Sequence, residues 1–179
     1  MHENALIRQA QSGDAGAFEA LLGMHYDTLY KFAYKWCGNR ADAEDVTQQA
    51  CLKLARSIDQ FNFEAAFTSW LYQVVINCAK DWRKSQRRHV ENSEDMEESR
   101  QIESTMPSPE ALMISQQMLG LLETLAEGIK ETILLVHAEG LTHGEAAKIL
   151  GIKESTVSWR LHEARKTLKL LFAQEEING

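Results

Sequence analysis

The sequence is poorest in the residues that punctuate short strands and staple small folds: 2 Pro, 10 Gly and 3 Cys in 179 residues. Both prolines, Pro107 and Pro109, come late, so little in the first hundred residues forbids helix and an all-β fold is excluded. Cys37, Cys51 and Cys78 are odd in number, far apart and form no C-x-x-C pair, which removes a disulfide framework and a zinc knuckle. No apolar run of about 18 residues occurs, and MHENALIRQAQSGD has neither the basic start nor the apolar stretch of a signal peptide. A cytoplasmic protein without membrane insertion is the expectation. The six histidines make no H-E-x-x-H and no Gly-rich phosphate loop appears, so no enzyme, catalytic residue, metal or cofactor is indicated.

What is present is helix-forming sequence of average polarity, 44% hydrophobic and 25% charged, with net charge −7. The negative excess is local: residues 91–110 hold seven acidic side chains against one basic, whereas residues 1–90 hold ten against eleven. That acidic stretch has almost no large apolar residues and cannot offset its own ordering entropy. The expected fold is therefore all-α: two small helical domains, 1–90 and 109–179, joined by a flexible acidic linker at 91–108.

In the first domain Phe18, Leu21, Leu22, Leu29, Phe32, Ala33 and Trp36 follow helical spacing between Asp14 and Gly38. A second helix starts near Asp42, burying Val46, Ala50, Leu54 and Ile58 and exposing Asp42, Glu44, Asp45, Gln48 and Gln49. A third, after a cap at Thr68 or Ser69, buries Phe67, Trp70, Leu71, Val74, Val75, Cys78 and Trp82. It ends in KDWRKSQRR, where Lys80, Arg83, Lys84, Arg87 and Arg88 crowd nine residues, a density suited to phosphates. Phe61, Phe63, Phe67, Trp70 and Tyr72 lie just upstream; most belong to the core, but rings beside a basic groove also suit unstacked bases.

In the second domain Leu112, Leu119, Leu122 and Leu125 predict one helix, and Ile129, Ile133, Leu134 and Val136 another ending at Gly140. Thr142-x-x-Glu145 is a capping box opening a short helix through Ala146, Ala147, Ile149 and Leu150, broken at Gly151. Ile152 anchors the turn, and the next helix buries Val157, Leu161, Ala164, Leu168 and Leu171. A small Ala147 at the crossing and Gly151 in the turn meet the needs of a helix-turn-helix. Ser155, Thr156, Ser158, Trp159, Arg160, His162, Arg165 and Lys166 then form a hydroxyl-rich, cationic reading face for a major groove.

DAEDVTQQACLKL, FTSWLYQVVINCAKDWRKSQRR and LTHGEAAKILGIKESTVSWRLHEARKTL, in this order around an acidic linker, resemble a bacterial extracytoplasmic-function sigma factor over nearly the whole chain. The resemblance implies binding to core RNA polymerase and promoter DNA, with an anti-sigma factor as a further partner. It implies polymerase docking through Asp42, Glu44, Asp45, Gln48 and Gln49. Trp70, Tyr72, Gln73, Asn77, Lys80, Asp81 and Arg83 would hold the melted −10 element, with the cations Lys84, Arg87 and Arg88 following on the same helix, and the loop from Phe61 through Phe63 to Phe67 would take an extruded base. Thr156, Ser158, Trp159, Arg160, His162 and Arg165 would read the −35 duplex. Relatives commonly carry an acidic residue where Gln49 stands, which suggests weaker docking or a need for added charge, for instance by phosphorylation of Thr47. A plain helix-turn-helix regulator acting without polymerase is the alternative; it explains the second domain but not the first.

Overall fold

The computed structural model describes residues 2–92, 120 and 125–178. The chain divides into two compact units, Met1–Ser104 and Thr105–Gly179, and among the described residues every regular element is helical.

The first unit contains α1 (His2–Gln11), α2 (Ala15–Cys37), α3 (Arg40–Ser57), a 3-10 turn at Ile58–Gln60, and α4 (Phe67–Asn92). The ends of α2 fall where its capping residues dictate. Asp14 accepts the Ala17 amide at 3.0 Å, and Gly38, left-handed at φ 81°, returns its amide to Tyr34 at 2.8 Å. Helix α3 begins two residues before the expected start because Asn39, not Asp42, is its cap: Asn39 Oδ1 accepts the Asp42 amide at 2.9 Å. Helix α4 begins at Phe67, ahead of the expected Thr68 or Ser69 cap, with Ala66 accepting the Ser69 amide at 3.0 Å.

The core is built from Leu21, Leu29, Phe32, Ala33 and Trp36 of α2, Val46, Ala50 and Leu54 of α3, and Leu71, Val74, Val75 and Ala79 of α4. Each large side chain enclosed in this way contributes about 1.5–3 kcal/mol. Trp70 and Trp82, expected in that stripe, are only half-buried. Helix α1, which the apolar pattern did not announce, lays Ile7 and Ala10 against α2, and its Glu3 Oε1 pairs with the buried His25 Nε2 at 2.6 Å.

The second unit contains α5 (Ile129–Ile133), a π-helical turn at Leu134–Ala138, α6 (His143–Leu150) and α7 (Glu154–Asn178). The helix expected over 129–140 forms without a break, α-helical to Ile133 and π-helical from Leu134 to Ala138, with Leu134 and Leu135 both buried. The capping box forms as written in the sequence. Glu145 N–H donates to Thr142 Oγ1 at 3.2 Å, and the Thr142 amide donates to Glu145 Oε2 at 2.8 Å. Gly151, at φ 65°, donates to Lys148 O at 3.3 Å, and Ile152 to Ala147 O at 3.0 Å, the paired bonds of a Schellman turn. Ala146, Ala147 and Ile149 then meet Val157, Leu161 and Ala164 of α7, with Leu168 half-buried. Of the expected second-domain apolar residues, Leu125 lies outside any helix, while Leu112, Leu119, Leu122 and the side chain of Leu171 fall outside the described residues, as does most of the 91–108 linker.

Candidate nucleic-acid and polymerase interfaces

Three separate surfaces emerge. The first lies on α3, where Asp45, Gln48 and Gln49 are exposed and Leu52, one turn further, is 52% exposed. The spacing of four and three residues puts Asp45, Gln49 and Leu52 on one helical face. Leu52 went unnoticed in the sequence because a leucine near the 46, 50, 54 stripe reads as core. Glu44 is half-exposed and held by Arg40 at 2.7 Å. Asp42 is buried, its Oδ2 accepting from Asn39 Nδ2 at 2.6 Å, so its carboxylate serves the helix start and leaves the predicted docking patch. Thr47 is fully buried, with its hydroxyl donated to Ala43 O at 2.6 Å. A kinase has no access to it, so Thr47 is not a phosphorylation site of the folded unit, contrary to the expectation.

Behind Leu52 a groove of about 530 Å³ opens between α3 and α4, lined by Gln49, Lys53 and Arg56 on one side and Asp81, Trp82 and Ser85 on the other, with Cys78 in its wall. Burial pushes the Cys78 thiol up, nearby Lys53 opposing and Asp81 and Cys51 adding, and burial raises Cys51 likewise. Both sulfurs are therefore neutral thiols at physiological pH rather than reactive thiolates. None of the three cysteines forms a disulfide.

The second surface runs from the 61–66 loop along α4. Phe61 and Phe67 are buried and cannot stack on a base: Phe61 sits 5.2 Å from Phe67 and 5.6 Å from Trp70, centroid to centroid. They form the floor under Phe63 and Trp70, which are half-buried. Tyr72 is also half-buried and leans on Phe32 at 5.2 Å. Beyond the rings, Gln73, Asn77, Lys80, Lys84, Arg87 and Arg88 follow one another at helical spacing, exposed except for the half-buried Lys80. Asp81 is exposed on the flank towards the groove, and Arg83 turns back to lie 5.8 Å from the Trp36 ring.

Sequence reasoning missed the support under this loop. Gln11 of α1 donates from Nε2 to Ile58 O at 2.9 Å and Phe61 O at 2.7 Å, and the Arg8 guanidinium lies 4.5 Å over the Phe63 ring. Phe63 is, among the described residues, the one non-glycine with positive φ, at 62°.

The third surface is on α7. Ser155, Ser158, Trp159, His162, Arg165 and Lys166 are exposed along one face, with Trp159 54% exposed, and Thr156 is half-buried at the helix start. Arg160 departs from the expectation. It points to the interior side, donating from Nη1 to Gly128 O at 3.2 Å and approaching Thr132 Oγ1 at 3.5 Å, so it ties α7 to α5 and is not part of the reading face. Three residues after Val157 and four before Ala164, it sits on the flank of the buried stripe, which the spacing itself could have signalled. His143, at the start of α6, meets Ser158 Oγ with Nδ1 at 3.0 Å and links the two helices of the motif.

A four-helix unit with one acidic-amide face and one aromatic-basic face, followed by a helix-turn-helix, is the build of a promoter-recognition factor. Residues 21–89 match the model for sigma-70 region 2, and residues 115–168 match that for sigma-70 region 4. The chain belongs to the extracytoplasmic-function group of the sigma-70 family, and it directs RNA polymerase in promoter recognition and transcription initiation. It is 29% identical to the ECF RNA polymerase sigma-E factor of Escherichia coli K12 over 176 residues, covering 93% of this chain and 92% of that one. Identity to the sigma-E factor of Haemophilus influenzae is 28% over 177 residues, covering 93% of each. Among solved structures the fold resembles CnrH, bound to the cytosolic domain of CnrY, at TM-score 0.69 and 24% identity, covering 97% and 99% of the two chains. It also resembles the sigma factor RpoE of Bartonella quintana, in complex with the anti-sigma factor NepR, at TM-score 0.67 and 24% identity, covering 87% and 96%. No described helix is long and apolar enough to cross a membrane.

Proposed function

We propose that the three surfaces divide the labour of initiation. Asp45, Gln48, Gln49 and Leu52, with Glu44 at the edge, dock on core polymerase. Phe63, Trp70, Gln73, Asn77, Lys80, Lys84, Arg87 and Arg88 hold the melted −10 strand, over a floor of Phe61 and Phe67. Ser155, Thr156, Ser158, Trp159, His162, Arg165 and Lys166 read the −35 element as duplex. The observation that carries this reading is the surface from the 61–66 loop along α4, where half-buried Phe63 and Trp70 lead into exposed amides and cations, the combination that lets bases stack while phosphates are neutralised. The α7 face carries hydroxyls and cations, with Trp159 and His162 as its exposed rings among residues 154–170, a mixture that suits the base edges and phosphates of paired DNA.

In this reading the working domains are 1–90 and 109–179, with 91–108 as the tether. The protein acts in the cytoplasm by binding rather than by catalysis, and an anti-sigma factor covers it when it is idle. The complexes of CnrH and RpoE support that last partner. Gln49, in place of a carboxylate, leaves docking to rest more on Asp45 and Leu52.

Co-purification with core polymerase, followed by run-off transcription, tests the assignment. Leu52→Asp should weaken polymerase binding at least about tenfold, since it sets a charge against the centre of an apolar contact, and should leave binding to −35 duplex unchanged. Equal polymerase affinity for Leu52→Asp and wild type would remove α3 from the interface.

A further inference from the structure

Helix α1 contributes to the fold through Ile7 and Ala10, yet two of its polar side chains are spent elsewhere. Both turn to the segment that follows α3. Gln11 uses its amide nitrogen on two carbonyls, Ile58 O at 2.9 Å and Phe61 O at 2.7 Å, across about fifty residues of sequence. The exposed Arg8 lays its guanidinium 4.5 Å over Phe63, whose ring is flanked by Phe61 at 5.0 Å. Phe63 carries φ 62°, a backbone state that disfavours an L-residue with a Cβ by roughly tenfold. It persists only where the surroundings over-determine it, and the surroundings here are Gln11 below the loop and Arg8 and Phe61 about the ring.

We propose that α1 is part of the strand-opening apparatus, with Gln11 and Arg8 as positioning residues that hold Phe63 and the 62–66 loop in the shape that receives an extruded base. This rests on the reading of that loop as the base-capturing segment. A preformed loop binds without the ordering cost that a loose one incurs, and a cation over the ring keeps its orientation and stands close to where the phosphate of an extruded nucleotide must pass. Neither residue belongs to the apolar core: Arg8 is exposed and Gln11 half-buried.

The test uses holoenzyme, the full chain with core polymerase. Its probe is the single-stranded non-template −10 segment of a promoter chosen by run-off transcription on genomic fragments, with 2-aminopurine at the captured position. Arg8→Ala and Gln11→Glu should each weaken capture about three- to tenfold, and Arg8→Lys, which keeps a cation over the ring, should restore most of the loss. Polymerase affinity and −35 duplex binding should stay at wild-type values, as should all three readings for the exposed control Gln9→Ala. Arg8→Ala should also keep the wild-type unfolding midpoint, so that a folding defect in Gln11→Glu leaves the question answerable. If Phe63→Ala loses capture while Arg8→Ala and Gln11→Glu do not, the role of α1 falls and the reading of the loop stands. If Phe63→Ala captures as wild type, both fall.

Discussion

Gly128 is a sharp point at which to perturb the second unit. Its φ is +84°, and a methyl added there would lie 2.4 Å from Arg160 Cζ and 2.5 and 2.6 Å from the two terminal nitrogens. Gly128→Ala therefore carries two costs. The left-handed backbone costs an alanine about 1–2 kcal/mol. The guanidinium must also leave, giving up its bond to Gly128 O at 3.2 Å and its approach to Thr132, a charge-assisted contact worth about 1.5–3 kcal/mol. The total is about 2.5–5 kcal/mol, a large share of what a small domain has. With Arg160→Ala already in place only the backbone cost remains, so the same glycine change should cost about 1–2 kcal/mol there. Amide hydrogen exchange in α5–α7, which reports the second unit apart from the first, measures all four corners of this cycle. Equal costs in both backgrounds would show that Arg160 is not packed against Gly128, and would return it to the DNA-reading face.

Thr47→Glu should destabilise the first unit by more than about 3 kcal/mol, because it forces a charge into a fully enclosed site, whereas Thr47→Val should be tolerated within about 1.5 kcal/mol; urea unfolding separates the two. The Glu145 carboxylate is held below its ordinary range by the Thr142 amide and hydroxyl, with Lys148 adding, so its charged form is the one folding favours. That contribution is complete above the ordinary carboxylate pKa and fades as pH falls through the lowered value. The stability gap between wild type and Glu145→Gln, followed by hydrogen exchange in α6, should thus close in acid; a gap that held constant with pH would mean the box does not depend on charge. Arg165→Ala should reduce initiation on duplex promoters more than on templates already opened at −10, and equal losses on both would contradict the separation of the two DNA surfaces.

What could be read from the chain was local. Asp14 and Gly38 bound α2, and Thr142, Glu145 and Gly151 bound α6, because a cap is satisfied within four residues of its own position. The exposed faces of the candidate sites were legible where exposure follows helical spacing, as in Gln73, Asn77 and Lys84, or Ser158, His162 and Arg165. The errors came where one polar residue sits on the flank of a buried stripe. Thr47 lies one residue after Val46 and three before Ala50, and its hydroxyl is satisfied by its own helix, so burial leaves it no polar deficit. The charge of Arg160 points to a phosphate or a base, whereas its partner is a carbonyl 32 residues away. Gln11 and its carbonyls are 47 and 50 residues apart, and no periodicity encodes such a contact.

Permanganate footprinting of a promoter region, with core polymerase alone, with the chain alone and with both, addresses most directly whether this protein opens DNA only as part of the larger enzyme. Unstacked, reactive thymines should appear around −10 when both are present and in neither single reaction. Reactivity with the chain alone, or none with the pair at any promoter that core plus chain transcribes, would contradict it.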